Sequence, residues 1–242
     1  MTPPGYTRLA LPGADVTCLA PCADAVRTAL GTGTLHAWAA ARPERRVLRG
    51  RDAAYAVSLP NRAADVVVRH SRHGGLLAPI TRDLFLPPTR APRELATSLA
   101  LRAAGVRTPE LVAVAVYPAG PLLRRADVAT RLVPDARDLA AVVGALPDEA
   151  WLPPTATLLA SLARAGARHP DLNLKNVLLA RDGAWVLDVD VVALGAAPAH
   201  AARANWARLE RSLLKWRRLH ALPLRDDALA RLRAAALSPL PA

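Results

Sequence analysis

The stretch that most constrains how this chain folds is His169-Pro170-Asp171-Leu172-Asn173-Leu174-Lys175-Asn176, followed by Val177-Leu178-Leu179. It reads as a polar loop held between buried elements. The short apolar run is β-prone, Arg181-Asp182-Gly183 supplies a hairpin turn, and Trp185 to Leu187 form the returning strand. Asp188 stands at the end of that strand. The hairpin is therefore expected to fold Asp188 back towards Asn176 and Asp171.

Two carboxylates and a carboxamide meeting at strand ends have a specific chemical use. One carboxylate accepts a proton from an attacking hydroxyl. The amide oxygen and the second carboxylate suit Mg²⁺, a hard cation that takes oxygen ligands together with substrate phosphates. This is the pattern of phosphoryl transfer, with Asp171 as base and Asn176 and Asp188 on metal. His-x-Asp-Leu-x-x-x-Asn matches the kinase catalytic loop at every fixed position except Pro170, where eukaryotic kinases have Arg. An Asp- and Asn-rich turn with ordinary capping roles is the bland alternative, and it leaves the later Asp unexplained.

Charge narrows the partners. The 242 residues are long enough for one large domain or two lobes, and they carry 32 Lys+Arg against 20 Asp+Glu, a net charge of +12. Lys175 and Lys215 are the only lysines, so the excess is almost wholly Arg. Such a balance suits a nucleotide, a nucleic acid or an anionic membrane surface. Aromatics are only 4%, and no nucleic-acid-binding motif is present, which argues against nucleic acid as the partner. No stretch reaches the ~18 apolar residues of a spanning helix. No basic segment followed by an apolar core opens the chain, so a secretory signal is not expected. Cys18 and Cys22 have no second pair beside them and read as free thiols of a reducing cytoplasm.

Residues 1–45 are rich in Pro, Ala and Gly with little periodicity and read as an extension, with a short helix between Ala20 and Leu30. Residues 46–133 read as a nucleotide-phosphate-binding lobe. Val47 to Val57 alternates loosely; Gly50 near its start would suit the bend of a lid over phosphates, and suits a plain hairpin equally. Asp65 to His70 is a β-branched strand ending in Arg69. Phosphoryl transfer needs a cation there, usually Lys; both lysines lie far downstream, so Arg69 would have to serve. A surface Arg on an edge strand is the competing reading. Thr89 to Ala104 reads as a helix with Leu95, Leu99 and Ala103 on one stripe. Its Glu94 is either the partner of Arg69 or a solvated acid complementing the helix dipole. Strands follow at Leu111–Tyr117 and Arg124–Val133. Residues 134–242 read as the lobe carrying the loop, the metal site and a basic helix from Ala202 to His220. The stripe Trp206, Leu209, Leu213 and Trp216 on that helix reads first as a core face.

On these residues the chain resembles the lipopolysaccharide kinase family, in particular the 3-deoxy-D-manno-octulosonic acid (Kdo) kinases of Gram-negative bacteria. The matching pieces are Val68-Arg69-His70 with Arg72, Gly74 and Gly75; Thr89-Arg90 and Arg93-Glu94-Leu95; Gly105 to Pro109; Thr130-Arg131; His169 to Leu179; Asp188-Val189-Asp190; and Asn205 to Lys215. The resemblance implies an α+β, two-lobed protein-kinase-like fold with a small β-rich N-lobe and a short helical C-lobe. It implies transfer of phosphate from ATP, with Mg²⁺, to a sugar hydroxyl of the lipopolysaccharide inner core, at the cytoplasmic face of the inner membrane. Asp171 would be the base, Asn176 and Asp188 the metal ligands, Arg69 the phosphate cation and Glu94 its partner. Val189 stands where the family usually has Phe or Leu, and Ser71 where it often has Tyr. Two rival readings are a small-molecule phosphotransferase of the aminoglycoside or choline kinase type and a non-catalytic pseudokinase scaffold. The first shares the loop pattern; the second draws on the missing Lys and thin glycine loop.

Overall fold

The computed structural model describes residues 2–48, 53–71, 83–87, 89–146 and 149–238. The chain divides into two units, Met1–Ala96 with Glu110–Leu132 and Thr97–Pro109 with Val133–Ala242.

The first unit begins with a hairpin of β1 (Tyr6–Leu11) and β2 (Ala14–Leu19), closed by the two-residue turn Pro12-Gly13. Gly13 takes a φ of 78°, a left-handed value that glycine adopts without steric cost. Helices α1 (Ala23–Leu30) and α2 (Leu35–Ala41) follow, the second capped by the Thr34 side chain accepting from the Ala37 N–H at 3.1 Å. Then come β3 (Arg46–Leu48), β4 (Ala54–Ser58), β5 (Asp65–His70), α3 (Arg90–Ala103), whose residues from Thr97 on belong to the second unit, β6 (Leu111–Pro118) and β7 (Arg124–Arg131). Among the described residues the strands form one antiparallel sheet in the order β1-β2-β6-β7-β5-β4-β3.

Residues 1–45, read from sequence as an extension, thus contribute two strands and two helices to this sheet and its core. Val16, Cys18, Val26, Leu35 and Ala39 are fully buried with Val66, Val68, Val112 and Ala129. Burial of Cys18 pushes its thiol up to about 11, and the thiol of buried Cys22 is also raised, so both stay protonated at neutral pH. Strand β5 lies between β4 and β7, so Arg69 is not on an edge. Val66 and Val68 enter the core, and by strand alternation Arg69 points to the opposite face.

In the second unit, β8 (Arg137–Asp138) leads into α4 (Leu139–Val142), capped by Asp138 accepting from the Ala141 N–H at 3.0 Å. After α5 (Leu152–Arg164), the hairpin β9 (Val177–Ala180) and β10 (Gly183–Val186) pairs with β8 in the order β10-β9-β8. Helices α6 (Pro198–His220) and α7 (Asp226–Leu237) complete it. Leu158, Leu162, Leu172, Leu174, Val186, Trp206, Leu209 and Leu213 share one core. The α6 stripe is therefore spent on packing, and Leu172 and Leu174 anchor the loop between them.

Candidate active site

In the second unit, the loop after α5 is fastened residue by residue. Arg168 exchanges backbone hydrogen bonds with Ala193 at 2.8 and 2.9 Å. The next residue, His169, is 1% exposed and makes contacts that assign its tautomer. The Asp171 N–H donates to His169 Nδ1 at 3.3 Å, and the Leu187 carbonyl, 2.9 Å from Nε2, can only accept. Nε2 therefore carries the proton and the ring is neutral. Burial holds its pKa below the usual imidazole value, in agreement. The ring ties the loop to the residue before Asp188.

Asn173 is a second fastener. Its Oδ1 accepts from the N–H groups of Lys175 and Asn176 at 2.9 and 3.3 Å, and its Nδ2 donates to the Asp171 carbonyl at 3.0 Å. Asn176 Nδ2 donates to the same carbonyl at 2.9 Å, and the Asn176 carbonyl accepts from the Leu187 N–H at 2.9 Å. Asp171, Asn176 and the start of the Asp188 turn are thus joined by direct hydrogen bonds, as the hairpin spacing predicts. Asp188 has φ 54° and ψ 50°, a left-handed conformation uncommon for a non-glycine residue and a recurrent feature of functional sites.

The donor set fits magnesium. Asn176 Nδ2 is taken up by the Asp171 carbonyl, which turns its Oδ1 away from that bond. Asp188 is exposed, and its carboxylate has no hydrogen bond or ion pair among the described residues. An amide oxygen and a free carboxylate are hard ligands of the kind Mg²⁺ shares with substrate phosphates. No group of three His, Cys, Asp or Glu side chains suited to a metal occurs among the described residues.

Helix α6 supplies contacts that the sequence reading passed over. Asn205, 1% exposed, accepts from the His169 N–H at 2.9 Å and donates to the Ala167 carbonyl at 2.8 Å. Arg208 Nη2 lies 2.7 Å from Asp171 Oδ1. Ser212 Oγ accepts from the Leu174 N–H at 3.3 Å. The i, i+3, i+7 spacing of these residues was the available signal, since it places them on one helical face. Lys175, in the loop itself, pairs with Asp138 at 3.0 Å and lies 5.1 Å from the Trp216 ring centre.

In the first unit, Arg69 and Glu94 form an ion pair through Nη2 and Oε1. Glu94 is 4% exposed, so the solvated alternative for this residue does not hold. Beside them, His70 lies between two carboxylates: Nδ1 is 2.5 Å from Asp127 Oδ1 and Nε2 is 3.0 Å from Asp83 Oδ2. The Asp127 bond foremost raises its pKa, against the opposing effect of burial. Asp127 is fully buried and also accepts from the His36 N–H at 2.8 Å and the Tyr117 hydroxyl at 3.1 Å. Gly50, Arg72, Gly74 and Gly75 lie outside the described residues.

Known proteins share this architecture. A model of the Lipopolysaccharide kinase (Kdo/WaaP) family matches residues 38–233. The chain belongs to that family. It is 32% identical over 147 residues to a 3-deoxy-D-manno-octulosonic acid kinase of Vibrio parahaemolyticus, covering 58% of this chain and 60% of that protein. It is 34% identical over 194 residues to the kinase of the same name from Stenotrophomonas maltophilia, covering 77% of this chain and 76% of that one. The chain thus spans about three fifths of the length of the Vibrio relative. A solved structure of WaaP in complex with acyl carrier protein superposes with a TM-score of 0.53 at 19% identity, over 89% of this chain and 87% of that one. The fold of this family member is accordingly the α+β, protein-kinase-like one, with its sheet-rich part first and its helices after.

Proposed function

We propose that the protein is an ATP-dependent kinase that phosphorylates a sugar hydroxyl of the lipopolysaccharide inner core, with the Kdo of Kdo-lipid A as acceptor. The observation that carries this reading is the hydrogen-bonded join between Asp171, Asn176 and the Asp188 turn, in a chain of this family. Membership weighs against an aminoglycoside-type phosphotransferase, whose acceptors are soluble.

Asp171 orients the acceptor hydroxyl and takes its proton as the new O–P bond forms and the bond from the γ-phosphorus to the ADP oxygen breaks. Asn176 and Asp188 hold Mg²⁺, which when bound with ATP neutralises charge on the phosphate oxygens. Arg69 serves the nucleotide phosphates, its guanidinium oriented by buried Glu94. Positioning and charge neutralisation supply most of the rate.

The acceptor is a glycolipid, so the enzyme works against a membrane surface, here the cytoplasmic face of the inner membrane. No helix among the described residues is long and apolar enough to cross a membrane. Arg211, Lys215 and Arg218 are exposed on α6 with Leu214 and Leu219, a composition that favours peripheral contact with anionic lipid.

Labelled ATP and Mg²⁺ offered with Kdo-lipid A, heptosylated core and soluble sugars test the reading. Label should enter Kdo-lipid A. Asp171→Asn and Asp188→Asn should each lower turnover by about 10²–10⁴. Wild-type turnover in either folded variant would remove the assignment, and label on soluble sugars alone would replace the acceptor.

A further inference from the structure

Resting on the reading of Asp171 as base, we infer that Arg208 is the positioning residue that sets that carboxylate, and that it acts from outside the catalytic loop. Three observations converge on it. Arg208 Nη2 holds one oxygen of Asp171, Oδ1, at 2.7 Å, which leaves Oδ2 to receive the acceptor's hydroxyl. The same helical face grips the loop on either side of Asp171, through Asn205 on His169 at 2.9 Å and Ser212 on Leu174 at 3.3 Å. Helix α6 therefore works as a splint along the loop, and Arg208 is its middle contact.

The third observation is that stability does not account for the contact. The Asp171 and Arg208 side chains are 55% and 37% exposed, and ion pairs this open to water add little to folding. Arg208 Nε is nonetheless buried with no hydrogen-bond partner among the described residues, an arrangement unfavourable to the free protein. A guanidinium kept in place under those terms points to the reaction. The cation beside the base also cannot be Lys175, the basic residue of the loop, because its ammonium is engaged by Asp138 at 3.0 Å. Asn173, two residues after the base, spends both ends of its amide on the loop backbone. The helix thus supplies the positive charge that the loop withholds. A charged, planar donor beside a carboxylate fixes its rotamer, and misplacement of a reacting group by about 1 Å costs about 100-fold in rate.

The experiment compares the full chain with Arg208→Gln, Arg208→Lys and Asp171→Asn, using labelled ATP, Mg²⁺ and Kdo-lipid A. Arg208→Gln should lower kcat about 100-fold, with KM for ATP within about twofold and an unchanged thermal midpoint. Arg208→Lys should recover part of the loss, because an ammonium reaches the carboxylate as a point charge without the planar fork. Should the Gln variant not fold, the Lys variant alone carries the test, expected below wild type in kcat with KM kept. Wild-type kcat in Arg208→Gln, or a Lys variant no better than Gln, overturns the positioning role while leaving Asp171 as base. Wild-type turnover in Asp171→Asn overturns the base assignment and the inference together.

Discussion

His70 and His169 show how differently the two units treat the same side chain. In the first unit, His70 has a carboxylate at each ring nitrogen, 2.5 and 3.0 Å away, and its pKa is raised. In the second, His169 is buried among backbone groups, donates to one carbonyl, accepts from one N–H, and has its pKa lowered by burial. One histidine sits in an ion network that favours its charged form, the other is a neutral peg. The acids follow the same division. Glu94 and Asp127 of the first unit are buried and paired, whereas Asp171 and Asp188 of the second are exposed. The first unit uses charge to hold itself together. The second fastens its loop mostly with neutral hydrogen bonds and exposed ion pairs, and keeps the Asp171 and Asp188 carboxylates in reach of solvent.

The sharpest way to break this contrast is to neutralise one arginine and one aspartate and measure folding and turnover on both. Arg69→Met would leave Glu94 buried without that partner and should cost about 3–5 kcal/mol of stability by urea unfolding. Asp171→Asn should cost no more than about 1 kcal/mol, because its ion pair is exposed, while losing turnover by orders of magnitude. Equal losses of stability in the two variants would erase the distinction.

A finer cut uses pH. The folded pKa of His70 is raised, so its stabilisation is complete below about 6.5 and is lost as pH rises through the folded value. His169 has the opposite sign: below about 6.5 the unfolded chain takes up a proton that the folded chain resists, and stability falls towards acid. Urea midpoints followed across neutral pH should therefore decline on the alkaline side in wild type and lose that decline in His70→Gln. His169→Gln should remove part of the acid-side loss and leave the alkaline limb alone. A His70→Gln profile parallel to wild type would show that the imidazolium network contributes nothing. The smallest expected effect is on folding in Arg208→Gln, below about 1 kcal/mol in the same titration.

Much of the second unit was legible because its signals are local. Asp182-Gly183 signals a turn, and the two-residue loop Arg181-Asp182, with Gly183 opening the returning strand, sets the pairing of Val177 with Val186. The spacing from Asp171 to Asn176 is short enough that a tight loop must bring the two together, and their hydrogen bond runs from Nδ2 to the carbonyl of Asp171. The N-terminal hairpin was harder to see. Ala10, Ala14 and Ala20 blur the contrast between buried and exposed positions, although Pro12-Gly13 between short alternating runs was a turn signal in plain view. Glu94 shows the other limit. Its helix could be read from spacing, but whether an early-turn acid meets water or a cation is decided by which strand lies opposite.

The amino-acid order by itself determined most elements after residue 45, the loop with its oxygen-bearing side chains, and the excess of arginine, because these depend on periodicity, turn chemistry and composition within a few residues. The family resemblance named the Arg69–Glu94 pair, but only tertiary structure buried it and brought Arg208 to Asp171. Arg69 reaches Glu94 across 25 residues and Arg208 reaches Asp171 across 37, and among so many arginines no local rule selects the second. The selection comes from packing: burial of Val66 and Val68 turns Arg69 to the other face of the sheet, and burial of Trp206, Leu209 and Leu213 leaves Arg208 turned towards the loop.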